Sequence, residues 1–187
     1  FVLEQALWDS KSFLQQNPEF FINVNVSAKQ LERPDFCRVV LELLDKTEFP
    51  VKHLCLEITE RCRSLPVSVI NERMAVLRGY GIKFAMDDFG TGSSSSAMAL
   101  EMLIDEIKID MSFIRKILVN KKNKAIVQSM VDFANAANIK SCLEGVENEA
   151  LEDYLRTVGA TWFQGYYYSK PVGADELEIL LSNSWKK

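Results

Sequence analysis

Residues 84–96 read FAMDDFGTGSSSS, an apolar segment that passes through two aspartates into a loop. The three residues before the aspartates are apolar and predict a buried strand, while the glycines and serines afterwards predict a turn or loop. Successive side chains of a strand point to opposite faces, so Asp87 and Asp88 cannot both be ordinary surface residues of one face. Paired carboxylates at the end of a buried strand therefore need a specific explanation.

The same kind of strand recurs along the chain, and helical patterns separate the copies. Six strand-like segments are mostly apolar and rich in β-branched or aromatic residues, which is typical of parallel strands covered on both faces. They lie at 21–27, 54–59, 83–89, 106–110, 140–146 and 162–168. The helical patterns lie at 1–16, 34–46, 67–81, 94–103, 123–138, 149–159 and 174–185. This alternation predicts an α/β fold with a parallel sheet and right-handed crossovers.

Two architectures fit that alternation: an open doubly wound sheet and a (β/α)8 barrel. No GxGxxG pattern follows the first strand, and no GxxxxGK[ST] pattern occurs in the chain. Every strand instead ends in polar residues: Asn25, Ser27, Glu57, Glu60, Asp87, Asp88, Lys108, Asp110, Glu144, Glu147 and Gln164. A site assembled from the carboxyl ends of many strands is typical of TIM barrels, whereas an open sheet concentrates its site at one switch point. We therefore expect a TIM-type barrel.

The strand count is lower than a whole barrel requires. Such a barrel has eight strands and about 250 residues, whereas this sequence has 187 residues and six predicted strands. The chain also opens directly on an amphipathic helix at 1–16. We expect residues 1–187 to be a single domain, the carboxy-terminal three quarters of a barrel that lacks about its first two strands.

Composition excludes several classes of function. The net charge is −4, and no dense Lys/Arg run indicates binding to a nucleic-acid polymer. No apolar run approaches the length of a membrane span. Cys55 and Cys142 lie in strand-like segments and predict buried free thiols, which suggests a reducing compartment and hence the cytoplasm. The single histidine, His53, makes a histidine-based metal site or a Ser-His-Asp triad a poor fit.

The predicted strand ends would bring a set of oxygen ligands to one mouth of the barrel. These ligands are Asn25, Glu57, Asp87, Asp88 and Glu144. Oxygen ligands without histidine or thiolate suit Mg²⁺ or Mn²⁺ better than zinc. Two such ions about 3.5–4 Å apart clamp the attacking and leaving oxygens of a phosphoryl displacement. Each acidic residue could instead cap a helix or form a salt bridge, but that explanation would have to apply at all six strands.

Six short segments, in this order, resemble the successive motifs of the EAL domain family, bacterial phosphodiesterases that linearise cyclic di-GMP. The segments are VNVSAKQL (24–31), LEITE (56–60), DDFGTGSSS (87–95), EIKID (106–110), LEGVE (143–147) and FQGYYYSKP (163–171). The resemblance runs from Phe1 to about Leu181. It implies a modified TIM barrel, two Mg²⁺ or Mn²⁺ ions and cyclic di-GMP as the substrate.

The resemblance also implies a role for each matching residue. Asn25, Glu57 and Asp87 would be metal ligands, and Asp88 would serve the second metal. Lys108 would position or activate the attacking water, and Glu144 would be the general base or a ligand of the second metal. Glu60 and Glu147 would hold the DFGTG loop in order, while Asp110 and Gln164 match further active-site positions. The loop itself resembles a mobile segment coupled to metal binding and dimerisation, so a homodimer is expected.

Three departures from the family pattern bear on activity. The Glu-Ala-Leu motif of the first strand and its substrate-binding arginine are absent, since EQAL (4–7) lies in the opening helix. Ser93 replaces the usual tyrosine of the loop, and Leu143 replaces a common alanine. With one metal ligand and the arginine missing, these 187 residues alone are predicted to hydrolyse cyclic di-GMP weakly or not at all.

Two other functions are compatible with parts of the pattern. A degenerate EAL module would bind a nucleotide or a protein partner without cleavage, although so many carboxylates exceed what binding needs. A retaining glycosidase could use Glu57 and Glu144 as its carboxylate pair. Asp87, Asp88, Lys108 and the scarcity of aromatic residues at strand ends count against the glycosidase.

Overall fold

The computed structural model describes residues 1–59, 66–92 and 95–182. In these residues six parallel strands form one sheet in sequence order, as predicted. The strands are β1 (Ile22–Val26), β2 (Leu54–Thr59), β3 (Lys83–Phe89), β4 (Glu106–Ile109), β5 (Lys140–Glu144) and β6 (Trp162–Gln164). Parallel strands in sequence order bring all six carboxyl ends to the same edge of the sheet.

Helices connect the strands and follow the predicted alternation. They are α1 (Val2–Gln16), α2 (Ala28–Glu32), α3 (Phe36–Thr47), α4 (Val67–Gly79), α5 (Ser95–Glu101), α6 (Met111–Ile114), α7 (Lys121–Ala136), α8 (Glu149–Arg156) and α9 (Ala174–Ser182). A short 3₁₀ turn, Val51–His53, precedes β2. Within the described residues, no helix is both long and apolar enough to cross a bilayer.

The sheet curls into a half-barrel. Phe21 precedes the first strand and Trp162 begins the last, yet their ring centroids lie 5.3 Å apart. The helices next to these strands also meet, because Gln16 of α1 donates a hydrogen bond to Glu178 of α9 at 3.1 Å. The curvature gives the sheet a concave inner face and a convex face that the helices cover.

The core lies between the strands and the helices. Alternate strand residues, such as Leu56, Phe84 and Ile107, are fully buried and belong to one apolar cluster with helix residues such as Met74 and Val131. The residues between them along each strand point to the other face of the sheet. This second set contains most of the polar residues of the strands. The apolar core therefore lies on one face of the sheet and the candidate site on the other.

Two details of the prediction were wrong. The strand predicted at 162–168 ends at Gln164, because the chain then folds over the end of β5. Tyr167 N–H donates to the carbonyl of Val146 at 3.0 Å, and a Cβ on Gly165 would lie only 2.1 Å from that carbonyl oxygen. The strand predicted at 140–146 likewise ends at Glu144, where Gly145 takes a positive φ of 79°.

Two short helices, α2 and α6, were not predicted, although the signal for α2 was present in the sequence. α2 begins at a capping box in which Ser27 accepts a hydrogen bond from the backbone of Gln30 and the Gln30 side chain accepts one from the backbone of Ser27. The pattern Ser-x-x-Gln is a known start signal for helices. The polar residue Ser27 at the end of β1 therefore serves helix capping.

Candidate active site

Lys108 lies at the centre of the polar cluster on the concave face. Its Nζ lies 2.9 Å from Glu57 Oε1, 2.9 Å from Glu144 Oε1 and 3.5 Å from Asp87 Oδ1. Each of the four residues lies on a different strand: Glu57 on β2, Asp87 on β3, Lys108 on β4 and Glu144 on β5. All four were predicted from the sequence as candidate site residues, and the structure brings them together.

Strand register explains why these side chains meet. Glu57 pairs with Ala85 of β3, and Thr59 pairs with Asp87, so Glu57 and Asp87 lie on the same face near the ends of their strands. Glu144 is the last residue of β5. Lysine has the longest reach of the four, and Lys108 extends across the concave face to carboxylates on both sides.

A register shift between Met86 and Phe89 accounts for the double aspartate. Asp88 has a φ of 55°, in the left-handed region that aspartate tolerates better than most residues. A bulge of this kind re-aims the side chains of a strand. The alternation that would send Asp87 and Asp88 to opposite faces is therefore interrupted at this point.

Electrostatics hold the cluster together despite burial. Glu57 and Lys108 are 4% and 5% exposed. Burial disfavours the charge of Lys108, but the surrounding Glu57, Glu144 and Asp87 carboxylates outweigh it and raise the Lys108 pKa. Burial also raises the pKa of Glu144, although Lys108 opposes that shift. Lys108 is thus a fixed positive charge, and Glu144 holds a proton more tightly than an ordinary glutamate.

The donor chemistry of the cluster fits a hard divalent cation. Three carboxylates face one ammonium, so the fully ionised cluster has an excess of negative charge that a divalent cation would neutralise. All the donors are oxygen atoms, which Mg²⁺ and Mn²⁺ prefer. Within 1–59, 66–92 and 95–182, however, no group of three or more His, Cys, Asp or Glu side chains is spaced around one ion position. The carboxylates are gathered around the Lys108 ammonium.

The remaining predicted site residues are less closely associated with Lys108. Asn25 pairs in register with Glu57, and its side chain is exposed at the end of β1. Gln164 pairs in register with Glu144 and is also exposed. Asp88 is half-buried beside Asp87. The structure places these three at the same mouth of the half-barrel as the Lys108 cluster.

The three residues predicted to support the site, Asp110, Glu147 and Glu60, differ in what the structure shows of them. Asp110 caps α6, since its Oδ1 accepts a hydrogen bond from Ser112 N–H at 3.0 Å. Glu147 is exposed, and its Oε1 lies 3.9 Å from Nε of Arg115. Glu60 lies outside the described residues, as does Ser93. The helix-capping alternative considered for acidic strand ends thus applies to Asp110.

Sequence reasoning missed two polar residues of the concave face. Asn23 Nδ2 donates a hydrogen bond to Glu57 Oε1 at 2.8 Å. Glu106 is 4% exposed, and burial raises its pKa to about 7, with the Glu57 charge adding to the shift and Lys108 opposing it. The two-residue period of a strand could have identified them. Asn23 lies two residues before Asn25, and Glu106 two residues before Lys108, so each shares a face of the sheet with a predicted site residue.

Comparison with known proteins gives a family match over most of the chain. The family model of the EAL domain matches residues 1–171. The chain is 33% identical over 170 residues to the cyclic di-GMP phosphodiesterase PdeA of Borreliella burgdorferi, a match that covers 91% of this chain and 25% of that protein. The chain therefore spans about a quarter of the length of this curated relative.

Solved structures give the same family. The structure of the EAL enzyme Bd1971 with bound cAMP and cyclic di-GMP superposes with a TM-score of 0.91 at 32% identity, over 96% of this chain and 50% of that one. The calcium and cyclic di-GMP complex of Klebsiella pneumoniae BlrP1 superposes with a TM-score of 0.82 at 25% identity, over 91% of this chain and 43% of that one.

Proposed function

This chain belongs to the EAL domain family, and on that premise we propose that it hydrolyses cyclic di-GMP to linear pGpG as the phosphodiesterase domain of a bacterial signalling protein. Its similarity to PdeA, which is named a cyclic di-GMP phosphodiesterase, supports the reaction. The bound ligands of Bd1971 and BlrP1 support the substrate.

The observation that carries the proposal is the cluster of Lys108 with three carboxylates at the carboxyl ends of the strands. A phosphodiester hydrolase needs a base for the attacking water and positive charge against the phosphate oxygens. Glu144, Glu57 and Asp87 contact the same ammonium from three different strands. The candidate base, Glu144, and the candidate cation ligands, Glu57 and Asp87, therefore lie close together around Lys108.

Glu57, Asp87 and Asn25 are the proposed ligands of one divalent ion, and Asp88 of a second. Bound Mg²⁺ or Mn²⁺ would supply positive charge where negative charge develops on the phosphate oxygens. The excess negative charge of the cluster supports this assignment, as does the calcium in the BlrP1 complex.

Glu144 is the proposed general base. Its carboxylate would accept a proton from water as the water oxygen bonds to phosphorus and one bridging P–O ester bond breaks. The ribose oxygen that leaves would take up a proton and become a hydroxyl group. Burial raises the Glu144 pKa, and a higher pKa makes the carboxylate a better proton acceptor. Lys108 stays charged, so its proposed task is to orient Glu144 and the water. Asp110, Gln164, Glu60 and Glu147 complete the proposed site as supporting residues.

A binding module without hydrolysis is the second candidate. The observation that favours it is the gathering of carboxylates around Lys108 rather than around an ion position in the described residues. Such a module would bind cyclic di-GMP and release it unchanged.

We further propose that the protein forms a homodimer and that it is located in the cytoplasm. The free thiols of Cys37, Cys55 and Cys142 support a reducing compartment and hence the cytoplasm.

Chromatography of the reaction products tests the proposal. The protein, expressed at its full natural length, is incubated with cyclic di-GMP and Mn²⁺ or Mg²⁺, with EDTA as the control. Linear pGpG that appears only with the metal is the expected result. Cyclic di-GMP that binds in equilibrium dialysis but returns intact would overturn hydrolysis in favour of the binding module.

A further inference from the structure

We propose that Asn23 is a positioning residue that fixes the Glu57 carboxylate for cation binding. This inference rests on the proposed function, since it concerns a ligand of the same site. Asn23 lies on β1, on the concave face, two residues before the predicted ligand Asn25.

The hydrogen bonds at Glu57 assign different tasks to its two oxygens. Asn23 Nδ2 donates to Oε1 at 2.8 Å, and Lys108 Nζ lies 2.9 Å from the same oxygen. In the described part of the chain, both of these contacts fall on Oε1. Two donors on one oxygen fix the rotation of the carboxylate, and Oε2 becomes the oxygen available to an ion.

The other end of the Asn23 side chain indicates that stability is not its main contribution. Its Oδ1 is buried without a hydrogen-bond partner among the described residues. An unsatisfied buried polar atom costs about 1–3 kcal/mol. An apolar residue of the same size would avoid this cost, so the benefit of asparagine at this position lies in the bond that Nδ2 makes.

Glu106 is a second buried carboxylate near the Asn23 side-chain amide. Glu106 is buried on the same face, and its pKa responds to the charge of Glu57 and to the Asn23 amide. An amide nitrogen has two hydrogens, so Asn23 can donate to both carboxylates at once. The bond observed in the structure goes to Glu57 and holds that carboxylate beside Lys108.

A metal-binding measurement separates positioning from a structural role. Mn²⁺ is titrated into the full-length protein without substrate, and the free ion is followed by its EPR signal. We expect Asn23→Leu and Asn23→Ala each to raise the Mn²⁺ dissociation constant about ten-fold, the lower end of what the loss of a ligand-orienting hydrogen bond causes. Thermal unfolding without metal should change little in Asn23→Leu, because the unsatisfied Oδ1 is removed together with the donor.

Asn123→Leu is the matched control. Asn123 is also half-buried and donates one hydrogen bond, from Nδ2 to the Phe113 carbonyl at 2.8 Å, but it lies on α7. This variant should bind Mn²⁺ as the wild type does. Equal Mn²⁺ dissociation constants in the wild type and both Asn23 variants would overturn the inference, and so would a wild-type protein that binds no Mn²⁺. Failure of the proposed hydrolysis is seen separately, as intact Mn²⁺ binding without pGpG.

Discussion

Lys108 reaches Glu57 across an intervening strand. The two residues lie on β4 and β2, which are not neighbours, yet Nζ and Oε1 are 2.9 Å apart. Ala85 of β3 pairs in register with Glu57 and with Glu106, which lies two residues before Lys108, and it is fully buried. A small side chain at this position leaves room for the lysine to cross the concave face.

Ala85→Leu should therefore disturb the site as well as the packing. The larger side chain obstructs the path from Lys108 to Glu57, and overpacking alone costs about 1–3 kcal/mol of unfolding free energy. We expect lower stability in urea unfolding together with weaker Mn²⁺ binding by EPR. Ala134→Leu, at an equally buried alanine of α7, should lower stability but leave Mn²⁺ affinity unchanged. Equal Mn²⁺ affinities in both variants would contradict the proposed path.

Removing the Lys108 ammonium should destabilise the protein more at neutral pH than in acid. Lys108→Met leaves Glu57, Asp87 and Glu144 with their mutual repulsion and no counter-charge. Breaking a buried ion pair by removing one partner costs about 3–5 kcal/mol. Urea unfolding in EDTA at pH 7.5 should show a loss of this size, and protonation of the carboxylates near pH 4.5 should recover part of it.

Lys122→Met is the control for that measurement. Lys122 is an exposed residue of α7, so its substitution should change the free energy of unfolding little at either pH. A pH-independent loss in Lys108→Met would show that the aliphatic stem of the lysine, rather than its charge, stabilises the cluster.

Much of this site could be predicted from the sequence because strand period and strand ends are local features. Glu57, Asp87, Lys108 and Glu144 each lie in the second half of an apolar strand, and parallel strands bring such residues to one edge. Asn23 and Glu106 escaped notice because they lie at the amino ends of their strands, and only the curvature of the sheet brings them next to Glu57. The premature end of β6 at Gln164 depends on the contact of Gly165 with Val146, which no local pattern contains.

Glu106→Gln should stabilise the metal-free protein at alkaline pH. The Glu106 pKa is raised to about 7 by burial, from an ordinary value of 4.5. A carboxyl group with a raised folded-state pKa contributes stability that is present below pH 4.5 and lost as pH rises through about 7. At about 1.36 kcal/mol per pKa unit, the loss is at most about 3 kcal/mol.

The measurement is urea unfolding in EDTA across pH 4.5 to 8.5. Wild type and Glu106→Gln should converge at the acid end, and the variant should be the more stable protein above pH 7. The charged and polar groups that act on Glu106 are Lys108, Glu57, Asn23 and Lys83, and none of them changes in this comparison. A constant difference in unfolding free energy over the whole range would contradict the prediction.

Asp110→Asn separates the capping role of Asp110 from any need for its charge. Asp110 Oδ1 caps α6 through Ser112 N–H, and asparagine caps helices as well as aspartate does. We expect unfolding to be nearly unchanged in Asp110→Asn, whereas Asp110→Ala should lose about 1 kcal/mol. If turnover also depends on the carboxylate, Asp110→Asn will lower kcat without lowering stability. Equal kcat values in the wild type and Asp110→Asn would limit Asp110 to the helix cap.

The pH profile of hydrolysis tests Glu144 as the general base. A base must be deprotonated, so kcat/KM should fall as pH decreases through the Glu144 pKa, which burial raises above its ordinary value of 4.5. Lys108 opposes that shift, while Asp87 and Glu57 add to it. Glu144→Gln keeps the size of the side chain but cannot accept the proton. It should lower kcat by about 10²–10⁴-fold, flatten the acid limb of the profile and still bind cyclic di-GMP.

Glu42→Gln, at an exposed residue of α3, should retain both the wild-type rate and the wild-type acid limb. An acid limb that persists in Glu144→Gln would assign the base to another carboxylate of the cluster, with Asp87 and Glu57 as the next residues to replace.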